Sequence, residues 1–364
     1  MTLLGKNAFE HGGKWLAALR NWDNEKGKLL DFSANINPCG VAESVKAAIE
    51  AAMPSIVHYP DSEAVELKEA ISLHYQVAKE TILLGNGAVE LLYLLCQYKR
   101  PQRILVPAPT FSEYERAARA SGAEIDYLPL KATQQFALTF SEIRKQLPQA
   151  DMIFICNPNN PTGRLTERDE IQKILEAVKG RECLVVVDES FIDFVDNGEQ
   201  YSCRSLLADY PQLCILHSLT KFYAIPGLRL GFILGSPRLT AALESRKDPW
   251  NVNTLAQSAG VAGLRDEGYQ VTSRHYVTKE REKLSADLNE IPGLVVYPGT
   301  ANFLLLDINA LKLTATEFVR RMAALGVLVR NCTNYPGLTE DYVRVAVRSR
   351  EENQRLVASI RQVV

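Results

Sequence analysis

The middle of the chain alternates short apolar runs with longer amphipathic stretches. The runs at 104–106, 152–156, 184–187, 213–217 and 232–234 are rich in Val, Ile and Leu and do not alternate apolar with polar residues. Strands buried on both faces of a sheet have that pattern. Around them, 62–77, 89–98, 112–120, 167–178 and 238–247 carry apolar residues at helical spacing. A strand–helix–strand rhythm predicts a mainly parallel sheet covered by helices on both faces. Such sheets bind ligands outside the carboxyl ends of their strands. Chemistry is therefore expected in the segments that follow each strand.

A long helical stretch runs over 254–289 and is interrupted near 263–268. After Ile291-Pro292-Gly293 the pattern changes. Strands at 294–297, 303–307, 327–329 and 342–347 surround a helix at 314–324, and a helix from Arg350 closes the chain. This predicts an α/β protein with a large, mainly parallel-sheet domain and a small α+β C-terminal domain. Residues 1–40 show little periodicity and read as an N-terminal arm. The expected division is arm 1–40, large domain 41–255, connecting helix 256–290 and small domain 291–364.

Composition narrows the class. The 364 residues include 41 Lys+Arg and 43 Asp+Glu, a formal net charge of −2. That balance argues against a strongly basic nucleic-acid binder. Hydrophobic residues at 46% and charged residues at 23% suit a soluble globular chain whose core needs neither disulfides nor metal. Seven cysteines, without a C-x-x-C pair, argue against a disulfide framework and a thiolate zinc site. Cys156, Cys183 and Cys214 lie in apolar runs and read as small buried hydrophobes. The first thirty residues lack the apolar stretch of a signal peptide. No apolar run reaches the ~18 residues of a membrane span. A cytoplasmic protein without membrane or nucleic-acid partners is expected.

The segments after the strands are polar or glycine-rich. They are Pro109-Thr110-Phe111, the run 157–163 (Asn-Pro-Asn-Asn-Pro-Thr-Gly), Asp188-Glu189-Ser190-Phe191, and Ser218-Leu219-Thr220-Lys221 followed by the run 227–231. Upstream, Gly85-Asn86-Gly87 precedes a helix. The set suits a cationic heteroaromatic cofactor with a phosphate. A helix start after glycines offers free N–H groups to an anion, and Arg229 and Ser218 add a guanidinium and a hydroxyl. Asp188 can neutralise a ring N–H⁺, and Phe111 can stack on a ring. Lys221, among hydroxyls and near another cation, suits the lowered pKa of a Schiff-base amine. Singly, these are a turn glycine, a capping aspartate and a solvated lysine. Their order along the chain carries the signal.

On these motifs the chain resembles the fold-type I pyridoxal-phosphate enzymes, the aspartate aminotransferase superfamily, over nearly its whole length. Asn157 to Gly163, Asp188-Glu189-x-Phe191, and Ser218-x-x-Lys221 with Arg229 eight residues on carry the resemblance. Within it, the chain is similar to the histidinol-phosphate aminotransferase branch. It is more similar still to that branch's decarboxylases, through His11-Gly12-Gly13 and the runs 31–38, 218–231, 334–338 and 344–349.

The resemblance implies a role for each residue. Lys221 forms the Schiff base with pyridoxal 5′-phosphate, Asp188 pairs with the ring nitrogen, Asn160 donates to the ring oxygen, and Phe111 stacks on the ring. The amides of Gly87 and Ala88, with Ser218 and Arg229, hold the cofactor phosphate. Tyr59 reaches that phosphate from the neighbouring subunit of a homodimer with shared active sites. Arg344 clamps the substrate carboxylate. His11, Gly12, Asn35 and Arg330, with Asn160, hold the rest of a small phosphorylated amino-acid substrate. Arg330 also reads as a surface salt-bridge partner, and His11 as a residue of a loose arm. Two positions depart from the wider pattern. Phe191 stands where transaminases usually carry Tyr, and Ala88 where relatives often carry a polar side chain.

The implied activity is decarboxylation of L-threonine O-3-phosphate to (R)-1-aminopropan-2-yl phosphate, for cobalamin biosynthesis. A histidinol-phosphate or aromatic aminotransferase, and a non-catalytic cofactor-binding sensor domain, are the alternatives.

Overall fold

Five of the apolar runs become strands of one seven-stranded sheet. The computed structural model describes residues 11–20, 22 and 28–364, so residues 1–10, 21 and 23–27 of the expected arm lie outside the described residues. In chain order the described strands are β1 (Leu30–Asp31), β2 (Ile82–Gly85), β3 (Arg103–Ala108), β4 (Glu124–Pro129), β5 (Met152–Cys156), β6 (Leu184–Asp188), β7 (Leu213–Ser218), β8 (Gly231–Leu234), β9 (Val295–Val296), β10 (Phe303–Asp307), β11 (Val327–Leu328), β12 (Arg330–Asn331) and β13 (Tyr342–Ala346).

The large sheet has the order β2–β8–β7–β6–β5–β3–β4. Only β8 runs against its neighbours β7 and β2. The remaining ladders are parallel. Successive residues of each strand enter opposite cores. Leu83, Val106, Phe154, Val186 and Leu216 lie on one face. Leu84, Leu105, Ile153, Val185 and Ile215 lie on the other. Both faces are covered, which is why these strands read as unbroken apolar runs. Strand β4 is an edge strand with exposed or half-buried residues at most positions, so it lacks such a run. Strand β2 is four residues long. Neither was expected from the pattern.

The long helical stretch divides as predicted, into Thr254–Arg265 and Glu267–Asn289. Between them Asp266 accepts a hydrogen bond from the Tyr269 N–H at 2.9 Å. The smaller sheet is antiparallel, in the order β12–β13–β10–β9. Its core also takes in Leu30 and Phe32 from the N-terminal segment and Leu284 and Leu288 from the long helix. Strand β1 pairs parallel with β11, and a helix spans Trp15–Arg20. The segment expected as an unpatterned arm thus contributes a strand and a buried aromatic to this unit. Among the described residues no helix is long and apolar enough to cross a membrane.

Phe32 is fully buried. Its replacement by alanine is expected to cost about 3–5 kcal/mol of unfolding free energy, read from urea unfolding. A loss under about 1 kcal/mol would show that the N-terminal segment does not hold this core together.

Candidate active site

The carboxyl ends of β2, β3, β5, β6 and β7 share one edge of the large sheet. Because β8 is reversed, its first residue Gly231 pairs with Gly85 and with Ser218 at that same edge. Arg229, two residues earlier, arrives there as well. A cleft of about 90 Å³ at this edge is lined by Ala88, Phe111, Asn160, Asp188, Ser218, Lys221 and Arg229, among others. Phe111, Asn160, Phe191, Lys221 and Arg229 also line a cavity of about 650 Å³ that continues to His11, Gly12, Asn35, Arg330 and Arg344. Of the residues singled out in the sequence, only Gly87 and Tyr59 line neither.

Gly87 has φ +81°, and a Cβ there would lie 2.4 Å from Arg229 Nη2. The glycine thus lets the guanidinium lie against the start of the helix Ala88–Lys99, where N–H groups and the helix dipole favour an anion. Tyr59 is 78% exposed. It stacks on Trp250 with ring centroids 4.6 Å apart.

Lys221 sits in the short helix Leu219–Phe222 that follows β7. Its ammonium donates to Thr220 Oγ1 at 3.1 Å. Burial, then the Arg229 charge, push it down to about 8, with Asp188 opposing and Arg344 adding. Asp188 ends β6 and is buried. It accepts the Tyr114 hydroxyl at 2.7 Å and the Ser190 N–H at 2.9 Å. Tyr114 is fully buried and stacks on Phe154 with centroids 5.0 Å apart. Burial first, and Asp188 next, hold its hydroxyl well above the ordinary tyrosine value, so it remains a donor. Asp188 is thereby fixed in orientation from two sides.

Across the cavity, β12 and β13 place Arg330 directly opposite Arg344. Both side chains are buried, at 4% and 5% exposure. Arg344 donates to Asn160 Oδ1 and, at 2.7 Å, to the Ser33 carbonyl. Arg330 donates to the Asn331 carbonyl and, at 2.7 Å, to Asn334 Oδ1, and lies over the Tyr335 ring. Like charges directly opposite across a ladder destabilise it, and a bound anion relieves that cost. Asn35 is 4% exposed, and its Oδ1 has no hydrogen-bond partner. Buried polar atoms are rarely left so. His11 Nε2 lies 2.6 Å from Glu113 Oε1, and the His11 ring lies beside Phe111.

Several members of the site escaped the sequence reading. Tyr114 looked like an apolar helix position, and Glu113 like an ordinary helix-start acid. Tyr335 was visible only inside a quoted motif.

The residues fit a phosphorylated pyridine aldehyde. An amine of lowered basicity faces a fixed carboxylate, and the arginine–glycine cradle at a helix start matches a phosphate. The paired arginines remain for a second, anionic ligand, and the open Asn35 oxygen for a donor group on that ligand. Fold and site together define a pyridoxal-phosphate-dependent enzyme of the fold-type I class.

The profile of the family Aminotransferase class I and II matches residues 27–360, and the chain belongs to that family. It is 39% identical over 355 residues to the threonine-phosphate decarboxylase of Salmonella typhimurium, covering 97% of this chain and 96% of that protein. Two solved structures are also similar. The histidinol-phosphate aminotransferase of Clostridium acetobutylicum has a TM-score of 0.86 at 28% identity, covering 92% of this chain and 99% of that one. The L-threonine-O-3-phosphate decarboxylase of Porphyromonas gingivalis has a TM-score of 0.81 at 27% identity, with the same coverage of 92% and 99%.

In the cofactor-free protein, labelling of Lys221 by an amine-reactive reagent is expected to titrate with a midpoint at about 8. Arg229→Ala should move the midpoint up, because a neighbouring cation disfavours the ammonium. Asp188→Asn should move it down, because its carboxylate favours the ammonium. Peptide mass analysis across pH reads both shifts. A midpoint near 10.5, the ordinary lysine value, would show a solvated amine.

Proposed function

We propose that the protein decarboxylates L-threonine O-3-phosphate to (R)-1-aminopropan-2-yl phosphate, a step of cobalamin biosynthesis. The observation that carries this reading is the buried Arg330–Arg344 pair facing Lys221 across one cavity. Two guanidiniums suit a substrate with two anionic ends, a carboxylate and a phosphate. The similarity to threonine-phosphate decarboxylases supports the same substrate.

When bound, pyridoxal phosphate supplies an electron sink for whichever substrate Cα bond stands perpendicular to its ring. The chain's own residues select that bond. Arg344, steadied by Asn160 and Ser33, holds the carboxylate. Arg330 and His11 hold the phosphate, and this remote binding fixes the rotation about Cα. With the carboxylate and phosphate both held, Arg344 and Arg330 would present the Cα–carboxylate bond to that electron sink. Lys221, pushed down to about 8, keeps a usable neutral fraction near pH 7, would hold the cofactor through that amine, and would be the group whose Nζ returns a proton to Cα. Asp188, fixed by Tyr114, keeps a proton on the ring nitrogen. Phe191 offers no hydroxyl beside the site, and its edge meets the Phe303 ring at 5.0 Å.

The reading includes a cytoplasmic homodimer with shared sites. Its support is an exposed apolar group, with Ile56 at 56%, Val57 and Tyr59 at 78% and Trp250 at 47% exposure. Exposed patches of this kind mark interfaces.

The protein is expected to release CO₂ from O-phospho-L-threonine without transferring its amino group to 2-oxoglutarate. Amino transfer instead of CO₂ release would make it an aminotransferase, and neither would make it a sensor. Arg330→Ala should lower kcat/KM for phosphothreonine roughly tenfold to 150-fold, the loss of one charged hydrogen bond worth about 1.5–3 kcal/mol. Turnover of plain threonine should be nearly unchanged. An equal loss on both would assign Arg330 to the fold or the carboxylate.

Shared sites predict complementation. Mixing inactive Lys221→Ala subunits with Tyr59→Ala subunits should restore one working site per heterodimer. A fully active monomer, or heterodimers without recovered activity, would refute sharing.

A further inference from the structure

We propose that Glu113 is a positioning residue that turns His11 into a donor for the substrate phosphate, and so sets the preference for a phosphorylated substrate. The inference rests on the function proposed above and adds a residue to it.

Glu113 opens the helix Glu113–Ala120, and its side chain is 5% exposed. Carboxylates are seldom buried unless paired. This one lines the same cavity as Arg330, Arg344 and Lys221. Its partners are His11 Nε2 at 2.6 Å and Arg116 Nη1 at 3.6 Å. Burial alone would raise its carboxyl, but His11 and Arg116 hold it below the ordinary glutamate value, so it is ionised. An anion in the wall of a cavity that receives a phosphate repels the ligand, unless a hydrogen-bond donor stands between the two. His11 occupies that position in the contact chain.

Imidazole has two polar atoms. With Nε2 committed to Glu113, Nδ1 is what His11 has left for a ligand. Bridging Glu113 and a ligand phosphate uses both ring nitrogens as donors. The ring is also placed. It lies 5.7 Å from the Phe111 ring at an angle of 47°.

The backbone after His11 is anchored independently. A Cβ on Gly12 would lie 2.0 Å from the Ser33 oxygen, and the Gly13 N–H donates to Ser33 Oγ at 2.8 Å. Ser33 Oγ donates in turn to Asp31 Oδ1 at 2.6 Å, and the Ser33 carbonyl accepts from Arg344. The segment is therefore held at its glycines whether or not Glu113 is present. What Glu113 adds is the orientation of the His11 side chain, which is 40% exposed.

The test is a double-mutant cycle on the cofactor-loaded enzyme, with wild type, Glu113→Ala, His11→Ala and the double variant. Each is measured for kcat and KM on O-phospho-L-threonine and on threonine, and for inhibition by inorganic phosphate. Loss of a carboxylate that orients a metal-ligating histidine typically costs about 10- to 100-fold, and a loss of that order is expected for a phosphate-binding one. Glu113→Ala is expected to lower kcat/KM for phosphothreonine, and to raise the inhibition constant of phosphate, by that factor, with a much smaller loss on threonine. The double variant should be no worse than His11→Ala alone. Glu113→Gln, which keeps an acceptor without the charge, should fall between wild type and Glu113→Ala. If Glu113→Ala fails to fold, the cycle is run with Glu113→Gln.

Losses that multiply in the double variant, equal losses on threonine and phosphothreonine, or unchanged phosphate inhibition would each overturn the proposal. Failure of the proposed function looks different. In that case the wild type releases no CO₂ from phosphothreonine, while phosphate binding still reads the Glu113–His11 coupling.

Discussion

The site depends on one buried guanidinium. Arg344 leaves the middle of β13 in the small sheet and donates to Asn160, in the loop after β5 of the large sheet. It also donates to the carbonyl of Ser33, in the N-terminal segment. Three separate parts of the chain meet on one side chain. Burying a charge is costly unless its hydrogen bonds are met. Here two of the three guanidinium nitrogens are satisfied by neutral oxygens, and Nε is buried without a partner. The neutral partners steady the group without cancelling its charge. Arg330 opposite increases the local positive potential. The fold therefore concentrates positive charge where an anion would relieve it.

The same logic sets the reactivity of Lys221. An amine is a nucleophile only when deprotonated, and burial and the Arg229 cation both favour that form. Asp188 opposes them, so the amine settles near 8 rather than lower. A single reversed strand makes this balance possible. If β8 ran parallel to its neighbours, its start and the Arg229 before it would lie at the opposite edge of the sheet. The reversal brings Arg229 beside Ser218 and Gly87, near the amine it acts on.

Much of this was legible in the sequence, for a physical reason. Strands covered on both faces write unbroken apolar runs, and the polar residues after them stand out against that background. Asp188, Ser218 and Lys221 were found in this way. Edge strand β4 has one side open to water and carries polar residues, so no run marks it. Strand β1 is two residues long, and its partner β11 lies almost three hundred positions away. No local pattern encodes such a pairing. Tyr114 was hidden because a buried tyrosine has the helical spacing of any apolar residue, and its hydroxyl contact with Asp188 exists only in three dimensions. Glu113 was hidden for the opposite reason. An acid at a helix start is the commonest of surface features, and only its burial against His11 distinguishes it.

Backbone similarity does not choose between the two reactions of this branch, since an aminotransferase and a decarboxylase superpose on the chain almost equally well. The choice has to lie in side chains that touch the substrate or the ring. Phe191 lines both the cleft and the cavity and is a candidate. It is 5% exposed and packs edge-on against Phe303, in the wall shared by both parts of the cavity. A tyrosine there would bring a hydroxyl that must find a partner or be buried unsatisfied. Phenylalanine removes that donor and leaves an apolar wall beside the ring position. The opposed arginines are the other feature. On the function proposed above they hold both charged ends of a short substrate, and rotation about Cα is then set by the distance between its two anions rather than by contact with a side chain. A substrate lacking the second anion keeps one anchor and turns freely. On that reading, selection of the substrate and selection of the bond to be broken come from the same pair of buried charges.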